Sequence, residues 1–113
     1  MKPMVKVYLL DDENEKVFGE GPYRLLLAVE ETGSLRSAAE QMHMAYTKAL
    51  QLMKSAEAAF GYPLTERSAG GKHGGGSILT PEGKELLRKY ELYRNACKEA
   101  NSRIYTEIFC AER

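Results

Sequence analysis

The chain has 113 residues, 43% apolar and 28% charged, with 16 basic and 16 acidic side chains and no net charge. That length suits one domain with its own core, and the composition is that of a soluble globular protein rather than a disordered or membrane one. The longest apolar run, Leu25–Val29, is too short to span a bilayer, no secretory leader follows Met1, and Cys97 and Cys110 form neither a CxxC pair nor a metal quartet, so a reduced cytoplasmic location without metal or cofactor is expected.

Val5–Leu10 is rich in β-formers, and the turn-prone Asp11-Asp12-Glu13-Asn14 separates it from Lys16-Val17-Phe18, which predicts a small N-terminal hairpin. Gly19 and Gly21 break that pattern. Pro22 suits a first helical position, and Leu25, Leu26, Ala28 and Val29 share one face of a helix over Tyr23–Thr32 that Gly33 closes. Ser34 is the expected N-cap of a second helix with Leu35, Ala38, Ala39 and Met42 inward. His43-Met44 turns the chain into a third helix, Tyr46 to Phe60, with Ala49, Leu52, Met53, Ala56 and Phe60 on its buried stripe. Alanines at the crossing let the two axes approach closely, so the pair reads as a helix-turn-helix.

Gly61-Tyr62-Pro63 ends the third helix, and Leu64–Ser68 and Ser77–Thr80 read as two short strands around a glycine-rich tip. Thr80 then caps a long last helix with Pro81 in its first turn. Along it Leu86, Tyr90, Tyr93, Cys97, Ala100 and Ile104 recur in alternating steps of four and three, the seam of a coiled coil; this helix, together with parts of the N-terminal region, is the expected dimer interface. The whole is one domain over 1–113: an N-terminal hairpin (1–20), a helix-turn-helix with wing (21–80) and a dimerisation helix (81–110). The fold class is mainly α with a small β-hairpin wing.

Charge distribution is more informative than the total. Residues 1–33 carry 4 basic and 7 acidic side chains, whereas residues 34–90 carry 8 basic and 5 acidic. Opposite the buried stripe of the third helix stand Thr47, Lys48, Gln51 and Lys54, with Tyr46 and Ser55 at the flanks. Gln pairs with adenine edges, Lys donates to guanine, and Tyr and Thr suit phosphates or a thymine methyl. An ordinary solvated helix face has the same composition, and those four residues alone do not separate the two. At the glycine-rich tip Lys72 and His73 offer cations beside backbone that can approach a phosphate, while GxxxxGK[ST] and GxGxxG are both absent. A plain mobile linker is the alternative there. The histidines lack companions at metal-ligand spacing, Asp11-Asp12-Glu13 reads as a solvated turn, and no residue set suggests an enzyme.

Two overlapping resemblances emerge from these segments. Gly33-Ser34-Leu35, Ala38-Ala39-Glu40, Met42-His43-Met44, Glu57 through Gly61 and Tyr62-Pro63-Leu64-Thr65-Glu66-Arg67 together resemble the helix-turn-helix of LysR-type regulators. Arg67 through Thr80, with its glycine-rich wing, resembles the N-terminal DNA-binding domain of ModE-type, molybdate-responsive regulators, and the likeness runs from about Phe18 to Tyr93. Three positions depart from those patterns: Ala45 stands where serine is usual, Leu50 where ModE has tryptophan, and the basic residue is Lys48 rather than position 47. The resemblance implies a regulator that binds double-stranded DNA as a homodimer, with no membrane and no evident small-molecule ligand. It also implies a DNA-binding half without the molybdate-binding domains. Thr47, Lys48 and Gln51 are the expected base readers, and Ser34, Ser37, Tyr46, Lys54, Arg67, Lys72 and His73 the expected phosphate contacts. The alternatives are a winged-helix docking module without DNA binding and a small oxyanion sensor.

Overall fold

Helix α1 (Glu20–Thr32) starts one turn earlier than the apolar spacing suggests, with Gly19 as its N-cap. Pro22 therefore occupies the third helical position rather than the first; its missing N–H falls among the donors that a helix N-terminus leaves unbonded. The helix ends at Gly33, whose φ of 79° is a left-handed stop that glycine adopts without strain. Ser34 follows as the N-cap of α2 (Leu35–Gln41), its hydroxyl accepting the Ser37 N–H at 2.9 Å. His43, at φ 56°, turns the chain into α3 (Tyr46–Phe60), whose bounds coincide with those expected from the sequence. The computed structural model describes residues 1–69 and 75–111.

Two hairpins flank these helices. Strand β1 (Leu9–Leu10) pairs antiparallel with β2 (Lys16–Phe18), and β3 (Thr65–Ser68) with β4 (Gly76–Leu79). The first hairpin is shorter than expected, because Val5–Tyr8 runs on as extended chain without a strand partner. The second is the wing. Its base is tied to the helix-turn-helix where the Ser77 N–H donates to the Gly33 carbonyl at 2.8 Å. Thr80 then links wing to helix: its hydroxyl donates to the Pro63 carbonyl at 2.7 Å and accepts the Gly83 N–H at 2.9 Å, capping α4 (Pro81–Phe109).

The core lies between α1, α2, α3 and the start of α4. Leu25, Leu26, Val29, Ala38, Ala49, Ala56 and Leu64 are fully covered, whereas Leu52 and Phe60 of the expected α3 stripe are only half-buried. Phe18 stands at the junction, packed edge-on against Phe60 and Tyr90 with ring centroids 6.1 and 5.1 Å apart. The small buried residues Ala38, Ala39, Ala49 and Ala56 let the axes of α2 and α3 approach closely.

Here the expected seam of α4 divides. Leu86 and Tyr90 are 6% and 2% exposed, buried by their own chain, and the Tyr90 hydroxyl donates to the Val7 carbonyl at 2.8 Å. They are core residues of this domain and offer nothing to a partner. Tyr93, Cys97, Ala100 and Ile104 continue the same face past the edge of the domain, with Tyr93 and Ile104 54% and 45% exposed. The molecule measures 63 × 29 × 24 Å, its long dimension reflecting the length of α4. No helix among the described residues is long and apolar enough to cross a membrane.

Candidate nucleic-acid interface

Helix α3 turns Ala49, Met53 and Ala56 into the core, so the opposite side chains necessarily face water. Thr47, Gln51 and Lys54 stand exposed in a row at helical spacing, with Ser55 and Ala58 beside them along a shallow open groove. Lys48 is also exposed, on the flank facing the first hairpin, where it and Gln51 share a hollow with Tyr8 and Lys16. Lys16 itself lies 4.3 Å over the Tyr8 ring.

The other flank faces the wing. Arg36, Tyr46, Leu50, Arg67 and Ser77 line a cleft of about 400 Å³ between α2, α3 and the wing strands. The Arg36 guanidinium stacks 4.3 Å above the Tyr46 ring, fixing both side chains at the N-terminal end of α3. Arg36 was not among the expected contacts. Its signal was available: it is the second residue of α2, off the Leu35–Ala38–Ala39 inner face, on the helix preceding α3.

Lys2, Lys6 and Lys16 near the N-terminus and Lys84 and Lys98 on α4 have no ion pair among the described residues; the remaining described cations fall into two sets. Arg24, Arg88, Lys89, Arg94 and Arg103 on α1 and α4 each meet a carboxylate of their own chain. Arg36, Lys48, Lys54 and Arg67, which bracket the outer face of α3, form no ion pair among the described residues. An unpaired cation retains its full capacity to neutralise a phosphate. The zero net charge of the chain thus conceals a cluster of unpaired cations around α3, with Glu66 in the same cleft as Arg36 and Arg67.

Two expected contacts are corrected. Ser34 is 1% exposed and its hydroxyl is occupied as the α2 cap. The Ser37 hydroxyl oxygen is buried without a hydrogen-bond partner among the described residues. Both face the protein interior, so neither hydroxyl is presented to a phosphate. Lys72 and His73 lie outside the described residues. At the first hairpin the Asp11 carboxylate accepts the Glu13 and Glu15 N–H groups at 2.8 and 3.0 Å, an Asx turn. Among the described residues no group of three or more His, Cys, Asp or Glu side chains is placed to hold a metal.

Comparison with known proteins agrees with this frame. Residues 22–84 match the family described as "Bacterial regulatory helix-turn-helix protein, lysR family", a family of regulators rather than enzymes. The transcriptional regulator ModE of Haemophilus influenzae is 34% identical over 77 residues, which are 68% of this chain and 30% of that protein. The DNA-binding transcriptional dual regulator ModE of Escherichia coli is 32% identical over 80 residues, 69% of this chain and 30% of that protein. The chain thus spans about a third of the length of these relatives. Among solved structures, the CbnR DNA-binding domain in complex with DNA superposes with a TM-score of 0.61 at 25% identity, over 77% of this chain and 94% of that one. Full-length CbnR with its target DNA gives 0.60 at 26% identity, over 76% of this chain and 28% of that one. The match to the family covers helix-turn-helix, wing and the start of α4, and the chain belongs to the LysR family of bacterial regulatory helix-turn-helix proteins.

Proposed function

We propose that this chain is a transcriptional regulator that binds double-stranded DNA sequence-specifically as a homodimer. The observation that carries the reading is the outer face of α3, flanked by four cations without carboxylate partners among the described residues. Thr47, Lys48 and Gln51 meet base edges in the major groove; Arg36, Tyr46, Lys54 and Arg67 hold phosphates on either side and set the register. Two copies join through the part of α4 beyond Tyr90, where Tyr93, Cys97, Ala100 and Ile104 form the apolar seam. A two-fold pair presents its recognition helices to half-sites about 34–36 Å, one helical turn, or a multiple of that apart. A cytoplasmic location goes with this role.

Selection from a random duplex pool, followed by titration of the selected duplex across salt concentrations, tests the reading. Lys54→Ala and Arg67→Ala should each reduce the salt slope by about one unit. Gln51→Ala should instead relax discrimination at one base position by about 1–3 kcal/mol. A chain that selects no sequence, with a slope indifferent to both cation variants, would be a docking module rather than a DNA reader.

A further inference from the structure

A helix seated in the major groove has a phosphate backbone along each of its sides. Of the phosphate contacts assigned to this chain, Arg36, Tyr46 and Arg67 stand in the wing cleft and Lys54 in the exposed row. The flank of α3 that faces the first hairpin holds only the base reader Lys48. That flank is bordered by a hollow of about 260 Å³ between the hairpin, the start of α1 and α3. Phe18 and Leu52 make its floor apolar, and Tyr8, Lys16, Lys48 and Gln51 stand around it. No acidic side chain lines it, whereas the wing cleft contains Glu66. Gln51 and Ser55 line both this hollow and the shallow groove along the outer face, so the hairpin directly adjoins the reading surface. Lys16 is placed there by an aromatic ring. Its ammonium lies 4.3 Å over Tyr8, and it forms no ion pair among the described residues. The ring in turn is seated against Gly19, where a Cβ would stand 2.7 Å from its Cδ1. At φ −173° the Gly19 backbone suits any residue, so what glycine supplies is room for the ring.

We propose that the first hairpin is a second DNA-contacting element, in which Lys16, held over the Tyr8 ring, neutralises a phosphate of the strand passing the side of α3 away from the wing. The inference rests on the DNA-binding reading above and adds to it a contact outside the helix-turn-helix and wing. The charge is available because an aromatic face, unlike a carboxylate, positions an ammonium without neutralising it. The acidic turn of the hairpin does not cancel it. Asp11 is folded back onto the Glu13 and Glu15 N–H groups, and Asp12, Glu13 and Glu15 are outside the lining of the hollow. Those exposed carboxylates repel a backbone running farther along the hairpin, which confines the contact to one phosphate per copy. A phosphate contact carries no base information. Its effect is positional: with the wing on one strand and Lys16 on the other, α3 is fixed about its own axis, and Lys48 and Gln51 are held toward the base edges beside it.

Titration of the full chain on its selected duplex, combined with phosphate-ethylation interference, provides the test. Lys16→Ala should reduce the salt slope by about one unit per bound chain and weaken all sequences alike, leaving the selected consensus unchanged. In the parent, an ethylated phosphate on the strand away from the wing should block binding; for Lys16→Ala the same lesion should make no further difference. Lys16→Arg should keep the parent slope. Tyr8→Leu, which removes the ring and leaves the charge, should lower affinity by about two- to fivefold at unchanged slope, and Tyr8→Phe should restore it. Because Lys16 is exposed, its alanine variant should keep the parent urea midpoint. A lowered midpoint with an unaltered salt slope would make Lys16 a hairpin-stabilising residue and overturn the contact. If Lys54→Ala and Arg67→Ala lower the slope while Lys16→Ala changes neither slope nor ethylation pattern, the hairpin contact is overturned and the DNA reading stands. Slopes indifferent to all three variants overturn both.

Discussion

A Cβ on Gly83 would stand 2.3 Å from the Leu64 carbonyl oxygen, far inside van der Waals contact. That oxygen is not free to retreat. It accepts the Thr80 N–H at 3.0 Å, the Leu64 N–H is held by the Glu57 carboxylate at 2.8 Å, and the Leu64 side chain is fully buried. Gly83→Ala would ordinarily favour a helix, by about 1 kcal/mol; here it should destabilise by about 1–3 kcal/mol, as overpacking does. Urea denaturation gives the sign directly, and a stabilised variant would show that Leu64 is less firmly held than its bonds indicate. The neighbouring Thr80 cap was legible in the sequence because Thr, Pro and Gly act on one another within a single turn. The constraint on Gly83 was not, since its cause lies on the far side of the wing. Ser37 is the converse case: its residue type suits a phosphate, and only packing reveals that its hydroxyl faces inward.

Helix α3 begins without a side-chain cap. Ala45 has φ −64° and ψ 142°, an extended N-cap conformation, but no oxygen to accept an N–H of the first turn. Ala45→Ser should therefore stabilise the protein by about 1 kcal/mol, read as a higher urea midpoint at unchanged slope. Because Ala45 is exposed and precedes the reading face, sequence preference should be unaltered. The ends of α3 could be read from the chain because its stripe and the Gly61 stop, at φ 83°, are both local signals. The first hairpin could not. Val5–Tyr8 has the composition of a strand, yet β2 is only three residues long and exhausts its pairing at Leu9 and Leu10. The preceding residues are recruited instead by α4, through a bond between Tyr90 and Val7 that spans 83 positions. The same non-local contact explains why the seam expected to start at Leu86 is free only from Tyr93.

At the scale of the whole molecule, what matters is how α4 is held as it leaves the domain, since that would set the direction in which the two copies of the proposed dimer face DNA. One cluster joins α1 to α4. Arg94 is only 14% exposed in its side chain, bonds Glu20 at 3.1 Å and lies 4.6 Å over the Tyr23 ring, while the Tyr23 hydroxyl donates to Glu91. Burial alone would raise the Glu20 carboxyl, but the hydrogen bonds and charge of Arg94, helped by Arg24, outweigh it and hold the group below its ordinary 4.5. Its contribution is therefore complete above that value and is lost as pH falls through the lowered one. Tyr23 is displaced the other way, by burial first and then by the bond to Glu91, above its ordinary 10.0. Its contribution is complete below that value and is lost as pH rises through the raised one. The junction thus weakens at both ends of the pH scale through different residues. Glu20→Gln should remove part of the acid-side decline in stability and leave the alkaline side unchanged; Tyr23→Phe should do the reverse. Because the Glu20 side chain is 42% exposed, its share is reduced by solvent screening to about 0.5–1 kcal/mol. Chemical denaturation of the two variants and the parent from pH 3 to 11 separates the limbs. If both variants followed the parent at both extremes, the cluster would not be what fixes α4 to the domain.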